Sequence, residues 1–422
     1  MMGEFKAPKG TKDILPDDSP RWDRFFNAVE TVYKNYGYGR IDTPIFEAES
    51  LFARGIGDGT DIVNKEMYAF TDKGGRKIAL RPEETAGVVR AFLEHDLGRN
   101  NPLFKAYYKG PMFRYERPQG GRQRQFWQVG VEALGSADPA LDAEVIDCAL
   151  ESLSAAGLED LKLHINSVGC PICRPGYTTV LRGYILTEPD RFCPTCLERA
   201  EKNPMRVFDC KNPGCAAALQ AAPLITAHLC AACADHFSAV LAALQVIGVA
   251  AEPDPRLVRG LDYYTKTAFE IKSGALGAQD AVAAGGRYDG LVEQFGGVST
   301  PGIGFAVGVE RVLLATEAAG RPAAGPDVYV ATLGAEARQA GLAAAKGLRR
   351  TGFAVAVDFS DKSLKKQLSY ADKAGAGFTL IVGDEELQTG AYVIKNMRTG
   401  EQAALDPESL EPWLTSQKQE GA

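Results

Sequence analysis

The sequence predicts an α+β fold in which a mainly antiparallel sheet is flanked by helices. A small helical, cysteine-rich insertion and a C-terminal α/β domain complete it. Three observations support this prediction. Two long strand patterns meet at a Gly-Gly turn within residues 104–134, which is a hairpin signal. Strand patterns return at 258–308, after a segment at 168–240 that holds eight of the nine cysteines. From residue 327 onward strand and helix patterns alternate.

Length and composition set the broad class. A chain of 422 residues corresponds to about three domains, at roughly 150 residues each. We predict a first domain at 1–167 and 241–320, an insertion domain at 168–240, a linker at 321–326 and a last domain at 327–422. The hydrophobic fraction of 45% and charged fraction of 24% are typical of globular proteins. No long apolar run or signal peptide is visible, so we expect a cytoplasmic protein without a membrane partner.

Net charge limits the possible partners. At −7, the chain lacks the overall basic footprint of a nucleic-acid binder, so any RNA contact must depend on local patches.

Helix and strand patterns alternate along the first domain. Residues 20–37 predict a helix, and 38–47 predict a strand interrupted by Pro44, which favours an edge or an interface. A strand at 77–82 leads into a helix near residue 83. Residues 258–271 alternate as a strand, with Tyr263 and Tyr264 on opposite faces.

The hairpin at 104–134 is rich in arginine. Arg114, Arg117, Arg122 and Arg124 lie within eleven residues, around the Gly120-Gly121 turn. Such a hairpin can present guanidinium groups to a polyphosphate, although a solvated basic loop explains the same pattern.

Two further segments admit both a structural and a binding interpretation. The sequence GIGFAVGVER places glycines before Glu310 and Arg311, where Arg311 can meet a terminal phosphate; plain strand–helix packing is the alternative. In RPEETAG, Glu83 and Thr85 stand at a helix start, where an acidic residue also serves as a cap.

Together these segments resemble the three signature motifs of class II aminoacyl-tRNA synthetases, in the same order. The sequences RGLDYYTKTAFE at 259–270 and GGRYDG at 285–290 are specific to one branch, and from about residue 5 onward the chain resembles the histidyl-tRNA synthetases of subclass IIa. The resemblance implies an ATP-dependent ligase that forms histidyl-adenylate and pyrophosphate, then transfers histidine to the 3′ end of histidine tRNA. It also implies a homodimer built on the Pro44 strand, an insertion that meets the tRNA acceptor arm, and a C-terminal anticodon-binding domain.

The resemblance further implies the site residues. Arg259 and Arg114 are the expected catalytic cations beside the α-phosphate. Expected at histidine are Glu83, Thr85, Gln128, Glu132, Tyr263, Tyr264 and Tyr288, with Glu132 and Tyr264 at the imidazole. Expected at ATP, which enters with Mg²⁺, are Arg114, Glu116, Arg122, Phe126 and Arg311. Trp127 departs from the family pattern, where histidine is more usual, and we expect it to face away from Phe126 and Gln128.

The cysteines form four close pairs. They are Cys170 with Cys173, Cys193 with Cys196, Cys210 with Cys215, and Cys230 with Cys233. This spacing suits tetrahedral thiolate zinc and offers ligands for two Zn²⁺ ions, whereas reduced structural thiols are the alternative. Spacing alone does not say which pairs share an ion.

Two other functions compete with the enzyme. One is a non-catalytic, histidyl-tRNA-synthetase-like regulatory paralogue of histidine biosynthesis. Such relatives typically lose the RGLDYY motif, the hairpin arginines or the anticodon domain, all of which this chain keeps. The other is a zinc-binding nucleic-acid module, which accounts only for the insertion.

Overall fold

The computed structural model of the protein describes residues 5–57, 60, 62–117, 121–276, 281–316 and 325–420, with side chains as far as residue 417 at the C-terminal end. The chain divides into two compact units, Met1–Gly320 and Arg321–Ala422. Gly120 and most of the predicted linker at 321–326 lie outside the described residues.

The first unit is built from strands and helices that enclose a large sheet. Its strands are β1 (Gly39–Arg40), β2 (Phe46–Ala48), β3 (Ala69–Thr71), β4 (Lys77–Leu80), β5 (Phe104–Phe113), β6 (Gln125–Leu134), β7 (Leu161–Ser167), β8 (Ala251–Pro253), β9 (Thr265–Ser273), β10 (Ala281–Arg287) and β11 (Gly302–Gly308). Its helices are α1 (Ser19–Asn35), α2 (Glu49–Ile56), α3 (Thr85–Glu94), α4 (Pro139–Ala155), α5 (Arg174–Thr187), α6 (Pro194–Lys202), α7 (Pro213–Ala218), α8 (Ala231–Val246), α9 (Leu291–Gln294) and α10 (Val309–Ala315).

Eight strands form the main sheet in the order β1-β5-β6-β11-β10-β9-β7-β8. The five central pairings are antiparallel, and only the outer pairs β1–β5 and β7–β8 are parallel. The predicted mainly antiparallel sheet with flanking helices is therefore confirmed. Helices α1, α4 and α8 pack on one face, where Tyr33, Val145 and Val240 belong to one buried apolar cluster with Phe269 and Phe305.

The segment around Pro44 is two short strands rather than one. Pro44 lies between β1, at the edge of the main sheet, and β2, at the edge of a small antiparallel sheet of order β2-β4-β3. The physical reason is the missing proline N–H, which leaves a ladder without a donor at this position.

The cysteine-rich segment is helical. It contains α5 to α7 and short 3₁₀ turns, including Pro204–Asp209, and α8 continues through residue 240 as far as Val246. Its own apolar cluster includes Tyr177, Leu181 and Val207, and also Tyr263 and Tyr264 from the loop before β9. The insertion therefore shares a core with a loop that carries predicted site residues.

The second unit is an α/β domain, as the sequence predicts. Its elements are β12 (Val328–Thr332), α11 (Ala335–Arg350), β13 (Val355–Val357), α12 (Leu364–Lys373), β14 (Phe378–Val382), α13 (Asp384–Thr389), β15 (Tyr392–Asn396), β16 (Gln402–Leu405) and α14 (Leu410–Glu420). The sheet order is β13-β12-β14-β15-β16, with parallel pairing around β12 and antiparallel pairing beyond β14. The sequence analysis did not predict β16, α13 or α14.

Candidate active site

One face of the main sheet carries a cavity of about 150 Å³, which we call the inner cavity. Strands β6, β10 and β11 form its floor, and the start of α3 and the loop before β9 form its walls. The predicted site residues that line it are Glu83, Thr85, Arg114, Gln128, Glu132, Arg259, Tyr263, Tyr264 and Tyr288. All seven residues predicted to bind the amino acid therefore face one space.

Glu132 is the buried acid of the inner cavity. Its carboxylate accepts a 2.6 Å hydrogen bond from the Thr85 hydroxyl and a second, short one from the Tyr288 hydroxyl. Burial raises the pKa of Glu132 to about 8, although both hydrogen bonds act to lower it. Gly304 lies opposite on β11, where an added Cβ would be 1.9 Å from Oε2 of Glu132, so only glycine leaves room for this carboxylate.

Tyr263 and Tyr264 line the inner cavity together, with ring centroids 4.8 Å apart. The prediction that they point to opposite faces is wrong, because β9 begins only at Thr265 and the alternation does not extend into the loop. The register of β9 with β10 shifts beside Lys266, whose φ is +51°. This irregularity separates the loop from the regular pleat and allows neighbouring phenols to share a cavity.

Glu83 combines the two roles that its position suggests. Its carboxylate accepts hydrogen bonds from the backbone N–H groups of Thr85 at 2.7 Å and Ala86 at 3.0 Å, which caps the first turn of α3. The same side chain lines the inner cavity. Burial raises the pKa of Glu83 above its usual value, and these hydrogen bonds oppose the shift.

The residues on either side of Tyr288 belong to an ion-pair network. The preceding residue, Arg287, is fully buried and pairs with Asp142 on α4 at 2.6 Å and with Asp289 at 3.1 Å. Asp142 also accepts hydrogen bonds from Thr267 at 2.6 Å and bonds to His236 on α8 at 2.8 Å. The network ties β9, β10, α4 and α8 together directly behind the inner cavity.

A second cavity of about 290 Å³, the outer cavity, opens beside the inner one. All the residues predicted to bind ATP line it: Arg114, Glu116, Arg122, Phe126 and Arg311. Arg114, Gln128 and Arg259 line both cavities, so the two form one continuous site with two predicted cations at the junction.

The hairpin cations already have defined partners. The Arg114 Nε donates to the Pro82 carbonyl at 2.9 Å, and its guanidinium carbon lies 5.3 Å from the centroid of the Phe126 ring. Arg122 pairs with Glu116 at 3.3 Å. These contacts hold the side chains toward the outer cavity and leave several N–H groups for an anionic ligand.

Three lining residues with ionisable side chains were missed by the sequence analysis. Tyr108 on β5 lines the inner cavity, and Glu270 and Glu310 line the outer one. Glu270 accepts a 2.9 Å hydrogen bond from Arg259, and burial raises the pKa of Glu310 to about 7. A glycine inside a strand is a sequence sign of a close approach, and an added Cβ at Gly130, opposite Tyr108 on the paired strand, would lie 2.5 Å from the Tyr108 hydroxyl.

Trp127 points away from the site, as predicted. Its ring packs against Trp22 and Phe26 of α1, with centroid distances of 6.1 and 5.6 Å, while Phe126 and Gln128 line the outer cavity. The unusual residue thus contributes to helix packing.

The eight insertion cysteines come together as two groups of four. The neck group, where the chain enters and leaves the insertion, is Cys170, Cys173, Cys230 and Cys233; the distal group is Cys193, Cys196, Cys210 and Cys215. Within each group all sulfur atoms lie within 4.8 Å of one another, and four of the Sγ–Sγ distances are 3.7, 3.8, 3.9 and 3.9 Å. A tetrahedral zinc with Zn–S bonds of about 2.3 Å requires sulfur separations of about 3.8 Å.

Within the described part of the chain, no single helix is both long and apolar enough to cross a bilayer. A bent pair, Pro213–His228 with Ala231–Val246, meets the requirement by length and composition alone.

Comparison with known proteins decides the family. A family model described as histidyl-tRNA synthetase matches residues 10–170 and 207–312, and one described as anticodon binding domain matches residues 327–417. The chain belongs to the histidyl-tRNA synthetase family.

Relatives in the histidyl-tRNA synthetase family match almost the whole chain. The histidine--tRNA ligase of Halothermothrix orenii is 51% identical over 406 residues, covering 95% of this chain and 97% of the relative. The histidine--tRNA ligase of Clostridioides difficile is 48% identical over 409 residues, covering 96% of this chain and 97% of the relative. The crystal structure of apo Staphylococcus aureus histidyl-tRNA synthetase superposes with a TM-score of 0.81 at 38% identity, covering 97% of this chain and 99% of that one.

A structure described as an ATP phosphoribosyltransferase regulatory subunit/histidyl-tRNA synthetase from Bacillus halodurans also has the same fold. Its TM-score is 0.66 at 20% identity, covering 91% of this chain and 99% of that one. At this identity it supports the fold alone.

Proposed function

We propose that the protein is a histidine–tRNA ligase. It activates L-histidine with ATP to give histidyl-adenylate and pyrophosphate, then transfers the histidyl group to the 3′ end of histidine tRNA. The observation that carries the proposal is the continuous site in which a buried acid and three phenols adjoin a cationic cavity. Full-length relatives at about half identity are named histidine--tRNA ligases, which favours the enzyme over a regulatory paralogue.

The inner cavity is the histidine site. Glu132 and Tyr264 recognise the imidazole, and Tyr263 and Tyr288 enclose it. Glu83, Thr85 and Gln128 bind the α-amino group. Two features support these roles: Glu132 already holds hydrogen-bond donors at both carboxylate oxygens, and the buried Oε1 of Gln128 has no partner among the described residues. A buried acceptor of this kind favours a ligand that can donate a hydrogen bond.

The outer cavity is the ATP site. Arg122 and Arg311 bind the terminal phosphate, Phe126 stacks on adenine, and Glu116 either recognises the adenine edge or fixes the hairpin through Arg122. Arg114 and Arg259 stand where the two cavities join, which is where the histidine carboxylate would attack the α-phosphate. Charge develops on the phosphate oxygens during this in-line displacement, and fixed cations stabilise it without reorganisation.

Magnesium is expected to enter with ATP. The outer cavity contains carboxylates at Glu116, Glu270 and Glu310, which are oxygen ligands of the kind that Mg²⁺ takes together with phosphate oxygens. When bound, the ion would neutralise charge on the departing pyrophosphate. Arg259 and Arg114 are placed to stabilise charge at the α-phosphate, where the new bond forms.

Structural zinc is the second metal of the proposal. The neck and distal groups each provide four sulfur atoms at separations that fit a tetrahedral site, and a disulfide would need sulfurs about 2.05 Å apart. Metal analysis of untagged protein should give about two zinc ions per chain, and less than a tenth of an equivalent would exclude zinc.

The remaining parts of the chain are assigned to tRNA and to a second subunit. In the domain division at 1–167 with 241–320, 168–240 and 327–422, the insertion meets the acceptor arm and the last domain binds the anticodon; the match to an anticodon-binding model supports the latter. A homodimer forms around Pro44, where Ile45, Phe46 and Phe70 are apolar yet 44–57% exposed. Such an enzyme works in the cytoplasm.

Histidine-dependent exchange of labelled pyrophosphate into ATP tests the activation step without tRNA. The protein should catalyse exchange with histidine and not with glutamine, asparagine or phenylalanine. A Glu132→Gln variant serves as the matched comparison, because it should need a higher histidine concentration for the same exchange rate. Absence of exchange beside an active control enzyme would contradict the proposed function.

A further inference from the structure

The loop at 258–264, which we call the amino-acid loop, has its back against the cysteine-rich insertion. It carries Arg259, Tyr263 and Tyr264 into the site on one side. On the other side Val168, Arg174, Asn203, Met205 and Arg206 surround a small cavity of about 70 Å³ that the loop closes. No regular strand pairing holds this segment, since β9 begins only at Thr265.

The neck group reaches the loop through the residue next to one of its cysteines. Arg174 directly follows Cys173, and its guanidinium donates to the carbonyls of Val168 at 3.1 Å and Gly169 at 3.3 Å, and through a short bond to that of Tyr264. Lys266 lies just after the loop, and its backbone N–H donates a 2.8 Å hydrogen bond to the Gly169 carbonyl. The chain around Cys170 and Cys173 therefore fixes the end of the loop.

The distal group reaches the loop through the turn between its second and third cysteines. Asn203 donates a 2.8 Å hydrogen bond to Asp262, and Arg206 donates a 3.1 Å hydrogen bond to the Gly260 carbonyl. Asp262 also lies within electrostatic reach of both Arg174 and Arg206. The residues next to the neck group and those within the distal group thus both approach the carboxylate of Asp262, in the middle of the loop.

The apolar cluster of the insertion includes Met205 and Val207, but the residues that contact the loop have little regular structure of their own. Asn203 precedes the six-residue 3₁₀ segment Pro204–Asp209, and Arg206 lies on it. Such short segments are not stable by themselves, and metal–thiolate bonds commonly supply the missing stability in small domains. In the sequence, cysteines of the two groups lie on either side of the residues that contact the loop.

We propose that two four-thiolate zinc centres, one at the neck group and one at the distal group, brace the amino-acid loop and thereby set the affinity for the amino acid. Arg174, Asn203 and Arg206 are positioning residues that transmit the constraint. Without the metal the amino-acid loop becomes more mobile, so Tyr264 and Arg259 lose their fixed positions and histidine binds more weakly. The arginine-rich hairpin at 104–134, which lines the ATP site, is unaffected. The proposed function is needed only to interpret the KM measurements, because the second readout below does not depend on activity.

The test compares two arginine variants of the full-length protein that keep all cysteines. Arg206→Ala removes the bond to Gly260 together with the 2.9 Å pair to Asp209. Arg182→Ala is the matched control, because Arg182 lies on α5, forms a surface pair with Glu201 and is 48% exposed. We expect Arg206→Ala to raise KM for histidine about tenfold, since it removes a charge-assisted hydrogen bond. KM for ATP should change less than twofold, and both variants should retain about two zinc ions.

A second readout does not depend on activity. Hydrogen–deuterium exchange of the wild-type chain, with zinc and after removal by a chelator, should show faster exchange at 258–264 without zinc, and no change in the hairpin strands at 104–113. The proposal that zinc braces the loop would be overturned by any of three results. These are equal KM values for histidine in the two variants, an unchanged hydrogen–deuterium exchange rate at 258–264 after zinc removal, and a wild-type chain that contains no zinc. If the wild-type chain shows no histidine-dependent pyrophosphate exchange, the proposed function fails. The hydrogen–deuterium exchange experiment still decides whether zinc braces the loop.

Discussion

Arg259 donates a 2.9 Å hydrogen bond from its Nη1 to the carboxylate of Glu270 across the mouth of the outer cavity. The pair joins the amino-acid loop to β9, and the buried Nε of Arg259 has no hydrogen-bond partner among the described residues. Glu270 therefore orients the guanidinium and leaves donors for the reacting phosphate.

Replacing Arg259 with alanine should impair the chemical step more than ATP binding. Removal of a single group that stabilises developing charge typically lowers kcat by about 10²–10³. We expect a loss of this size in single-turnover adenylate formation, with KM for ATP changed less than threefold. Equal losses in both quantities would make Arg259 a ground-state anchor.

Glu132→Gln should weaken histidine recognition selectively. The amide keeps the shape of the side chain but replaces one acceptor oxygen by a donor, which opposes the Thr85 and Tyr288 hydroxyls as well as the imidazole. We expect KM for histidine in pyrophosphate exchange to rise by about 10–100-fold, in line with the cost of leaving buried polar groups unpaired. Thr85→Ser, which keeps the hydroxyl, is the control; an unchanged KM for Glu132→Gln would remove Glu132 from the imidazole site.

The raised pKa of Glu132 predicts how stability depends on pH. Because burial raises this pKa from 4.5 to about 8, the folded state holds the proton more tightly than the unfolded state. The resulting stability is complete below about pH 4.5 and is lost as pH rises through about 8. Between pH 6 and pH 9, Tm should therefore fall more in the wild type than in Glu132→Gln. Parallel decreases in Tm would show that Glu132 ionises with its ordinary pKa.

Arg287→Met should destabilise the first unit strongly. The substitution leaves Asp142 buried beside Asp289 without its cation, and breaking a buried ion pair in this way costs about 3–5 kcal/mol. Urea denaturation followed by tryptophan fluorescence reports this loss, since Trp22 and Trp127 pack against the core of that unit. Arg182→Met, at an exposed pair, should leave the midpoint almost unchanged. Equal midpoints for the two variants would contradict the structural role of Arg287.

The sequence predicted the sheet class, and the residues that it proposed for the site line the two adjoining cavities, because both inferences depend on long, specific patterns. The hairpin register from Phe104–Leu134 to Phe113–Gln125 follows from two long strands around one turn. The prediction that Tyr263 and Tyr264 point to opposite faces was wrong for a local reason. Period-two alternation assumes a regular strand, and the irregular register beside Lys266 has no clear sequence signal.

Other features depend on contacts between distant parts of the chain, which sequence spacing does not encode. Cys170 and Cys230 are 60 residues apart yet their sulfurs are 3.8 Å apart, so the grouping of the cysteines follows only from the fold. Glu270 reads as an ordinary polar position on β9 until Arg259 is placed beside it.

We propose that the two adjoining cavities serve one reaction, with histidine in the inner cavity and the nucleotide in the outer one. The decisive experiment is a crystal structure with a non-hydrolysable histidyl-adenylate analogue. We expect an imidazole hydrogen-bonded to Glu132 and Tyr264, an adenine against Phe126, and the linking group between Arg114 and Arg259. An analogue bound with its imidazole outside the inner cavity, or with its linking group in contact with neither arginine, would contradict it.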